Sequence, residues 1–310
     1  MSFDREVTIN DFAESFGSTP EEVQDFCGDI IPRYDFRYRI LKGEERDQVI
    51  LTVLKKLESD TQVIGAEERT GIWEKGWAEN LESFKKTHDE QSLVPKFIRP
   101  NQPIRFAGEY ILPSTNNFEL DYFSVLRRWL FKKYLKNYQN VYEFGCGTGF
   151  NLLELARLYP DKKLHGSDFV SSSKDLVNEI AKTNQINLEG RIFNMRQPDS
   201  SYILEPGSAV MHFGAVEQLA SDIDPLFNYL LRNKPALCLA LEPTVELYDD
   251  AKLFDHLAIK FHRKRGYTEG YLPRLQKLEK EGKVEIIKTK RTYFGSLLME
   301  GFSYIVWRVI

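Results

Sequence analysis

The sequence predicts a doubly wound α/β sheet preceded by a mainly helical N-terminal part, on three observations. After residue 139, strand-like and helix-like segments alternate in the βαβ rhythm of a parallel sheet. A glycine-rich run, Tyr142-Glu143-Phe144-Gly145-Cys146-Gly147-Thr148-Gly149, falls between the first of those strands and its helix. The chain closes on two strand-like segments joined by Phe294 to Gly301, a connection too short for a crossover helix, so the pair should run antiparallel.

The N-terminal part opens on a short helix over Ile9 to Phe16 that breaks at Gly17. Thr19 then caps a second helix with Pro20 at its first position, and Glu22 stands where it can reach back to the cap's amide. Val49, Ile50, Val53, Leu54 and Leu57 recur on one side of a longer helix. Trp73 and Trp77 lie four apart, on one face of a further helical segment. The stretch from Ser92 to Asn117 holds Pro95, Pro100, Pro103 and Pro113, which interrupt regular structure and suggest a linker or a lid. The expected division is therefore a helical N-terminal or cap domain with a Pro-rich linker over residues 1–117, and a second domain over 118–310.

Leu120 to Leu135 regains helical periodicity. Strands are expected at Val141 to Phe144, Lys163 to Asp168, Gly190 to Met195, Ala209 to Phe213 and Ala236 to Leu241. The last of these is apolar almost throughout, as a central strand buried on both faces must be. Helices fall between them at Asn151 to Tyr159, Ser173 to Thr183 and Ile223 to Leu231, and Leu253 to Lys264 and Tyr271 to Glu281 follow. Val284 to Tyr293 and Phe302 to Val309 form the closing pair.

Composition narrows the function. A net charge of -4 argues against a protein that holds nucleic acid by general phosphate neutralisation. Three widely spaced cysteines, Cys27, Cys146 and Cys238, fit a reducing compartment. With no signal-like N-terminus and no apolar run near the length of a bilayer span, a cytoplasmic protein without membrane attachment is expected. No His, Cys and carboxylate grouping has metal-ligand spacing, and the oligomeric state is left open.

The glycine run carries the chemistry. Side chains at Gly145 or Gly147 would obstruct a tight turn and keep the backbone from a bound ligand, so the loop reads as a cradle for a nucleotide-like cofactor. Nineteen residues beyond Gly149, Asp168 ends the second strand, where a carboxylate can accept hydrogen bonds from both hydroxyls of a ribose. The alternative is a helix cap for Ser171 to Ser173.

On these residues the chain resembles the class I S-adenosylmethionine-dependent methyltransferases. Glu143 to Gly149 is similar to the family's first motif and Gly166-Ser167-Asp168 to its second-strand acid, over about residues 139–310. The resemblance implies a seven-stranded Rossmann-like methyltransferase sheet whose last strand is inserted antiparallel, and S-adenosylmethionine as cofactor. It also implies that Glu143 and Gly145 lie near the methionine portion and Gly147 at the cofactor's edge, with Gly149 completing the motif. Asn194 would bond adenine in place of the family's usual aspartate, unless it is an ordinary turn residue. Phe213, with Gly214 and Ala215, would face the methyl-bearing sulfur.

Methyl transfer from a sulfonium is an in-line displacement in which positioning alone is worth about 7–11 kcal/mol, so a dedicated base is optional. Candidates are Glu242, Glu217 and His212, all at or beyond strand ends; His212 can equally be a core histidine and Glu217 a helix start. Trp73, Trp77 and Tyr110 can wall the acceptor or simply fill a core. His262, Arg263, Lys264 and Arg265 can hold an anionic group or merely complement a helix C-terminus.

The expected function is methyl transfer to a small acceptor, anionic if the basic cluster serves it, such as a sugar or natural-product intermediate. Two alternatives stay open. Ile9 to Phe26 has a helix-turn-helix-like pattern that a nucleic-acid-binding or nucleic-acid-modifying protein would use, although its second helix opens on Glu21, Glu22 and Asp25. The other is a protein that binds the cofactor without catalysis. The first part of the chain is expected to be an all-helical cap that supplies acceptor specificity.

Overall fold

The structure, a computed structural model, describes residues 3–64, 68–94 and 100–310. Pro95 of the proline-rich stretch lies outside the described residues.

Before residue 118 the strands are Arg5–Glu6 (β1), Arg37–Ile40 (β2), Ile104–Phe106 (β3) and Glu109–Pro113 (β4), and the helices are Ile9–Phe16 (α1), Pro20–Cys27 (α2), Gly43–Ser59 (α3) and Glu68–Thr87 (α4). Helices dominate this part, but the expectation of an all-helical cap is corrected. The four strands form an antiparallel sheet in the order β1-β2-β4-β3, closed at its edge by Phe294–Gly295 (β11), which crosses over from the far end of the chain. The supposed linker supplies a hairpin of this sheet, β3 and β4, because Ile104, Phe106 and Ile111 are apolar enough to join the core. Prolines break helices, yet Pro113 sits at a strand end where its missing N–H costs nothing.

The caps explain the first two helices. Thr8 and Asp11 exchange hydrogen bonds in a capping box for α1, and Gly17, at φ 66°, closes it in the left-handed conformation. Thr19 accepts the Glu22 amide at 3.3 Å at the start of α2. The Glu22 carboxylate does not return to the Thr19 amide; it bonds the Ser18 hydroxyl and Lys133 instead.

From residue 118 onward the elements are Phe118–Leu130 (α5), Asn140–Phe144 (β5), Phe150–Leu158 (α6), Lys163–Asp168 (β6), Ser171–Asn184 (α7), Leu188–Ile192 (β7), Ala209–Phe213 (β8), Asp224–Asn233 (α8), Leu237–Glu242 (β9), Leu253–Arg265 (α9), Tyr271–Lys280 (α10), Val284–Lys290 (β10) and Ser303–Val309 (β12). They build a seven-stranded sheet in the order β10-β12-β9-β8-β5-β6-β7. Strands β5 to β9 pair in parallel, and β12 is inserted antiparallel between β9 and β10, as expected. The third strand is displaced: it spans Leu188–Ile192 rather than 190–195, since Leu188 pairs with Leu164 and Ile192 with Asp168. Asn194 therefore follows the strand by two residues.

Successive residues of each strand point to opposite faces, so the sheet is covered on both sides. Val141, Ala209, Met211 and Leu239 join one core cluster; Tyr142, Phe144, Val210 and Cys238 join the other. The N-terminal helices pack into the first cluster: Phe12 and Phe16 of α1, fully buried, meet Tyr122 and Trp129 of α5.

A buried ionic cluster fixes the end of the chain. Arg291 bonds Asp255 of α9 at 2.6 and 2.7 Å and Glu300 at 2.7 and 2.9 Å, and Arg105 of β3 lies 3.6 Å from Asp255 and 3.8 Å from Glu300. Each ion would cost several kcal/mol to bury alone; two guanidiniums against two carboxylates offset that cost. The cluster pins segment 294–302 between the two sheets.

Candidate functional site

The glycine bend after β5 is held from two sides. The amides of Gly145 and Cys146 both donate to the Ser167 carbonyl, at 2.7 and 3.0 Å, and the Gly147 amide donates to Asp168 Oδ2 at 3.0 Å. Gly145 (φ 74°) and Gly147 (φ 51°) are left-handed, and a Cβ on Gly145 would stand 2.3 Å from that of Ala215. Asp168 is buried, and its Oδ1 accepts the Val170 amide at 3.3 Å. Burial pushes its carboxyl up to about 6, and the amides of Gly147, Val170 and Phe169 oppose the shift without cancelling it. Asp168 is not the cap of α7. That role falls to Glu74 of α4, whose Oε1 receives the Ser171 hydroxyl at 2.9 Å and the Ser172 amide at 3.1 Å.

Two cavities open at the carboxyl ends of the parallel strands, where doubly wound sheets bind ligands. The smaller, about 180 Å³, is lined by Asp168, Phe169, Asn194, Arg196 and Leu219 among others. The larger, about 330 Å³, runs from Cys146, Gly147 and Asn151 past Phe213 and Leu241 to Leu298 and Phe302. Gly145, Gly214 and Gln218 line both, and so do Trp73 and Trp77, stacked with ring centroids 5.4 Å apart. A Cβ on Gly147 would stand 3.0 Å from the Trp77 ring, so α4 lays that indole directly on the glycine bend.

The structure brings most of the expected cofactor residues together. Gly145, Asp168 and Asn194 share the smaller cavity; Gly147 and Phe213 line the larger. Asn194 Oδ1 accepts the Arg196 amide at 2.9 Å in a local turn while the residue still lines the wall. Gly149 lines neither; a Cβ there would meet Val177 and Ile180 at 3.2 and 3.3 Å, so it serves the packing of α7. Glu143 is fully buried behind Asn151, which donates to its Oε1 at 2.8 Å, while Oε2 has no partner among the described residues. Burial pushes that carboxyl up to about 8.

The expected bases divide. Glu217 lines the larger cavity. Glu242 and His212 line neither cavity: Glu242 Oε1 accepts the amides of Ala215 and Val216, both at 3.0 Å, and Oε2 that of Glu217 at 3.2 Å. His212 Nδ1 lies 3.0 Å from Glu242 Oε1 and its Nε2 2.9 Å from the Tyr271 hydroxyl, which also takes the Trp307 indole N–H at 3.2 Å. A carboxylate only accepts, so Nδ1–H donates to it and Nε2 accepts from tyrosine. This chain of bonds shapes the loop from Gly214 to Leu219 from beneath.

The expected acceptor residues also divide. Trp77 and Arg265 line the larger cavity, Arg265 with its Nε bonded to Asp60 at 2.7 Å. Tyr110 is wholly buried against Phe254 and Arg105, and buried His262 bonds the Thr268 carbonyl at 2.9 Å, so neither reaches a cavity. A residue not singled out in the sequence, Glu119, also lines the larger cavity. Its signal was faint: a carboxylate on the apolar side of an amphipathic helix, next to Phe118. Among the described residues there is no group of His, Cys, Asp and Glu fit for a metal, and no helix long and apolar enough to cross a membrane.

No protein-family model matches the chain, and no curated protein matches its sequence. Its structure is similar to that of the cyclase SpnF, at 11% identity and a TM-score of 0.51, over 76% of this chain and 95% of that one. Geranyl diphosphate C-methyltransferase from Streptomyces coelicolor matches over 74% of this chain and 98% of its own, at 12% identity and a TM-score of 0.46. A S-adenosylmethionine-dependent methyltransferase from Aquifex aeolicus matches at 15% identity and a TM-score of 0.39, over 58% and 88%. The chain has the class I methyltransferase fold.

Proposed function

We propose that this chain binds S-adenosylmethionine across the two cavities and transfers its methyl group to a small, largely apolar acceptor. The observation that carries the reading is Asp168, buried at the end of β6, bonded to the glycine bend and lining an open cavity beside it. A carboxylate has about four lone-pair sites, and the two amides within hydrogen-bond distance, those of Gly147 and Val170, leave room for a ribose hydroxyl. Gly145 and Gly147 keep the bend free of side chains, while Glu143 lies behind Asn151 and lines neither cavity. The residues present thus fit the cofactor.

When bound, S-adenosylmethionine supplies a sulfonium methyl carbon open to in-line attack. Asp168 and Asn194 would hold the adenosine end. Phe213 and Gly214 would floor the junction of the cavities, and Trp73 and Trp77 would cover it, excluding water. Glu242 and His212 act on this reading as positioning residues, because they hold the loop bearing Gly214 and Glu217. Arg265 gives an anionic acceptor little grip, since Asp60 already meets its charge; the aromatic and aliphatic wall favours an apolar one.

Calorimetric titration with S-adenosylmethionine and S-adenosylhomocysteine tests the reading. Micromolar or tighter binding of both supports it, and no heat from either in a folded sample would remove it. Fold alone does not set chemistry, and the similar structure of a cyclase gives the non-transferring alternative a footing. Transfer of a labelled methyl group to any small molecule in a metabolite extract separates the two. The burial of Phe12 and Phe16 of α1 and of Val23 and Cys27 of α2 favours a packing role for both helices over nucleic-acid contact; a mobility shift at low salt would contradict that.

A further inference from the structure

Glu119 stands in the first turn of α5 and is 5% exposed. It lines the larger cavity, and its Oε2 has no hydrogen-bond partner among the described residues. Much of the lining is apolar, from Phe123, Phe150, Phe213, Leu298, Met299 and Phe302, although Lys56, Gln102, Asn151, Glu217 and Arg265 line it too. A buried carboxyl oxygen left without a partner costs about 1–3 kcal/mol or more, a cost that a ligand bearing one proton donor would remove. A largely apolar lining selects an apolar molecule by its size, and a polar group on it that lacks a partner orients that molecule.

We propose that Glu119 is the acceptor-facing base of this site, receiving the proton of a hydroxyl carried by an apolar, ring-sized or terpenoid-sized acceptor. The proposal rests on the cofactor reading above. In the step, a lone pair of the acceptor oxygen forms the bond to the methyl carbon. The carbon–sulfur bond breaks with its electron pair staying on sulfur, and the hydroxyl proton passes to the Glu119 carboxylate, which later gives it up to solvent. Charge balances, because the cationic sulfonium and the carboxylate anion both end neutral.

Burial pushes the Glu119 carboxyl up to about 8, with a hydrogen bond from Gln102 opposing the shift. A base in that range is strong enough to accept a hydroxyl proton at the moment of attack and is ionised in mildly alkaline solution. The other titratable groups on the lining are Cys146, Lys56 of α3, Glu217 after β8, and Arg265 and Tyr267 at the end of α9; Asp121 and Arg127 share α5 with Glu119, and Glu143 lies behind Asn151. Arg265 is paired with Asp60, Gln218 bonds Glu217 at 2.7 Å, Arg127 bonds Asn151 at 3.2 Å, and Glu300 is turned to Arg291. Glu119 has no ion pair among the described residues.

The test uses the full chain saturated with S-adenosylhomocysteine, whose binding is measured first. Two probes are then titrated from about pH 6 to about pH 8.8, short of the phenol-like ionisation of the naphthol itself: 2-naphthol, which has a hydroxyl, and 2-methoxynaphthalene, which lacks it. The expected result is that 2-naphthol binds about tenfold more tightly at high pH, with the gap opening through about pH 8. In Glu119→Gln, matched in shape, that gap loses its pH dependence, and in a separate assay with labelled S-adenosylmethionine as donor methyl transfer to 2-naphthol falls about a hundredfold or more. Equal binding of the two probes by the unaltered protein, a gap that persists unchanged in the variant, or no binding of either probe overturns the proposal. The pH titration of the unaltered protein needs no variant to fold. Failure to bind S-adenosylhomocysteine shows separately, as failure of the cofactor reading.

Discussion

The amide of Gly147 donates to Asp168 Oδ2 at 3.0 Å, so the acid ending the second strand of the large sheet braces the bend that ends the first. The two ends are neighbours because β5 and β6 pair in parallel, which carries Phe144 beside Ser167. Asp168→Ala should weaken S-adenosylhomocysteine binding about ten- to a hundredfold, the loss of charge-assisted bonds of about 1.5–3 kcal/mol. Calorimetry measures it, and an unchanged affinity would place the ribose elsewhere.

The same carboxyl predicts a pH dependence. With its titration lifted to about 6 by burial, Asp168 takes up a proton as pH falls below that value and loses acceptor capacity. Affinity for S-adenosylhomocysteine should therefore rise between pH 5 and 7 and level off above. Asp168→Asn should flatten the curve.

Glu119 should leave its mark on stability. Its carboxyl titrates near 8 in the fold against about 4.5 unfolded, so the folded state holds the proton more tightly. That contribution is fully present below about pH 4.5 and is lost as pH rises through 8. Glu119→Gln should thus melt higher than the parent protein, by a margin that grows between pH 5 and pH 9. Thermal denaturation across that range is the check, and a constant margin would contradict the assignment.

Gly145→Ala should destabilise the fold as well as the site. The new methyl would meet Ala215 Cβ at 2.3 Å, on a backbone at φ 74° that itself costs a side chain about 1–2 kcal/mol. A lowered melting temperature together with lost S-adenosylhomocysteine binding is expected; a stable, binding variant would show that the bend has slack.

Glu242 and His212 should behave as one unit. Glu242→Ala strands three amides and the histidine and should cost about 2–3 kcal/mol or more. Because His212→Ala breaks the same chain of bonds, the double variant should lose less than the sum of the two. Denaturant unfolding of the single and double variants measures the coupling, which strict additivity would rule out.

Of the four tryptophans, Trp129 and Trp307 are buried in the core, while Trp73 and Trp77 lie on the cavities. S-adenosylhomocysteine should therefore change the intrinsic fluorescence, and replacing Trp73 and Trp77 by Phe should abolish the change.

What was legible in the chain alone follows locality. Lys163–Asp168 and Ala209–Phe213 have the expected bounds, the second because its apolar run announces a strand wherever it ends up and the first because its place in the βαβ rhythm after the glycine bend does. The glycine bend and Asp168 were legible too, since a tight turn and its partner acid are set by spacing along one βαβ unit. The N-terminal sheet was not. Its strands are two to five residues long, and its last strand comes from 294–295, so the pairing that makes them strands has no trace in their own sequence.

The sequence by itself determined the parallel sheet, the antiparallel pairing of its last two strands and the nearness of bend and acid, all of which depend on residues near one another in the chain. Only the tertiary structure decided which carboxylates face a cavity. Glu242 and Glu119 are both buried acids, at 5% exposure each, but one is surrounded by backbone amides and the other by phenylalanine rings and open space. A carboxyl group's role depends on what solvates it, and for Glu119 those surroundings include segments more than a hundred residues away in the chain, such as Leu298 and Phe302.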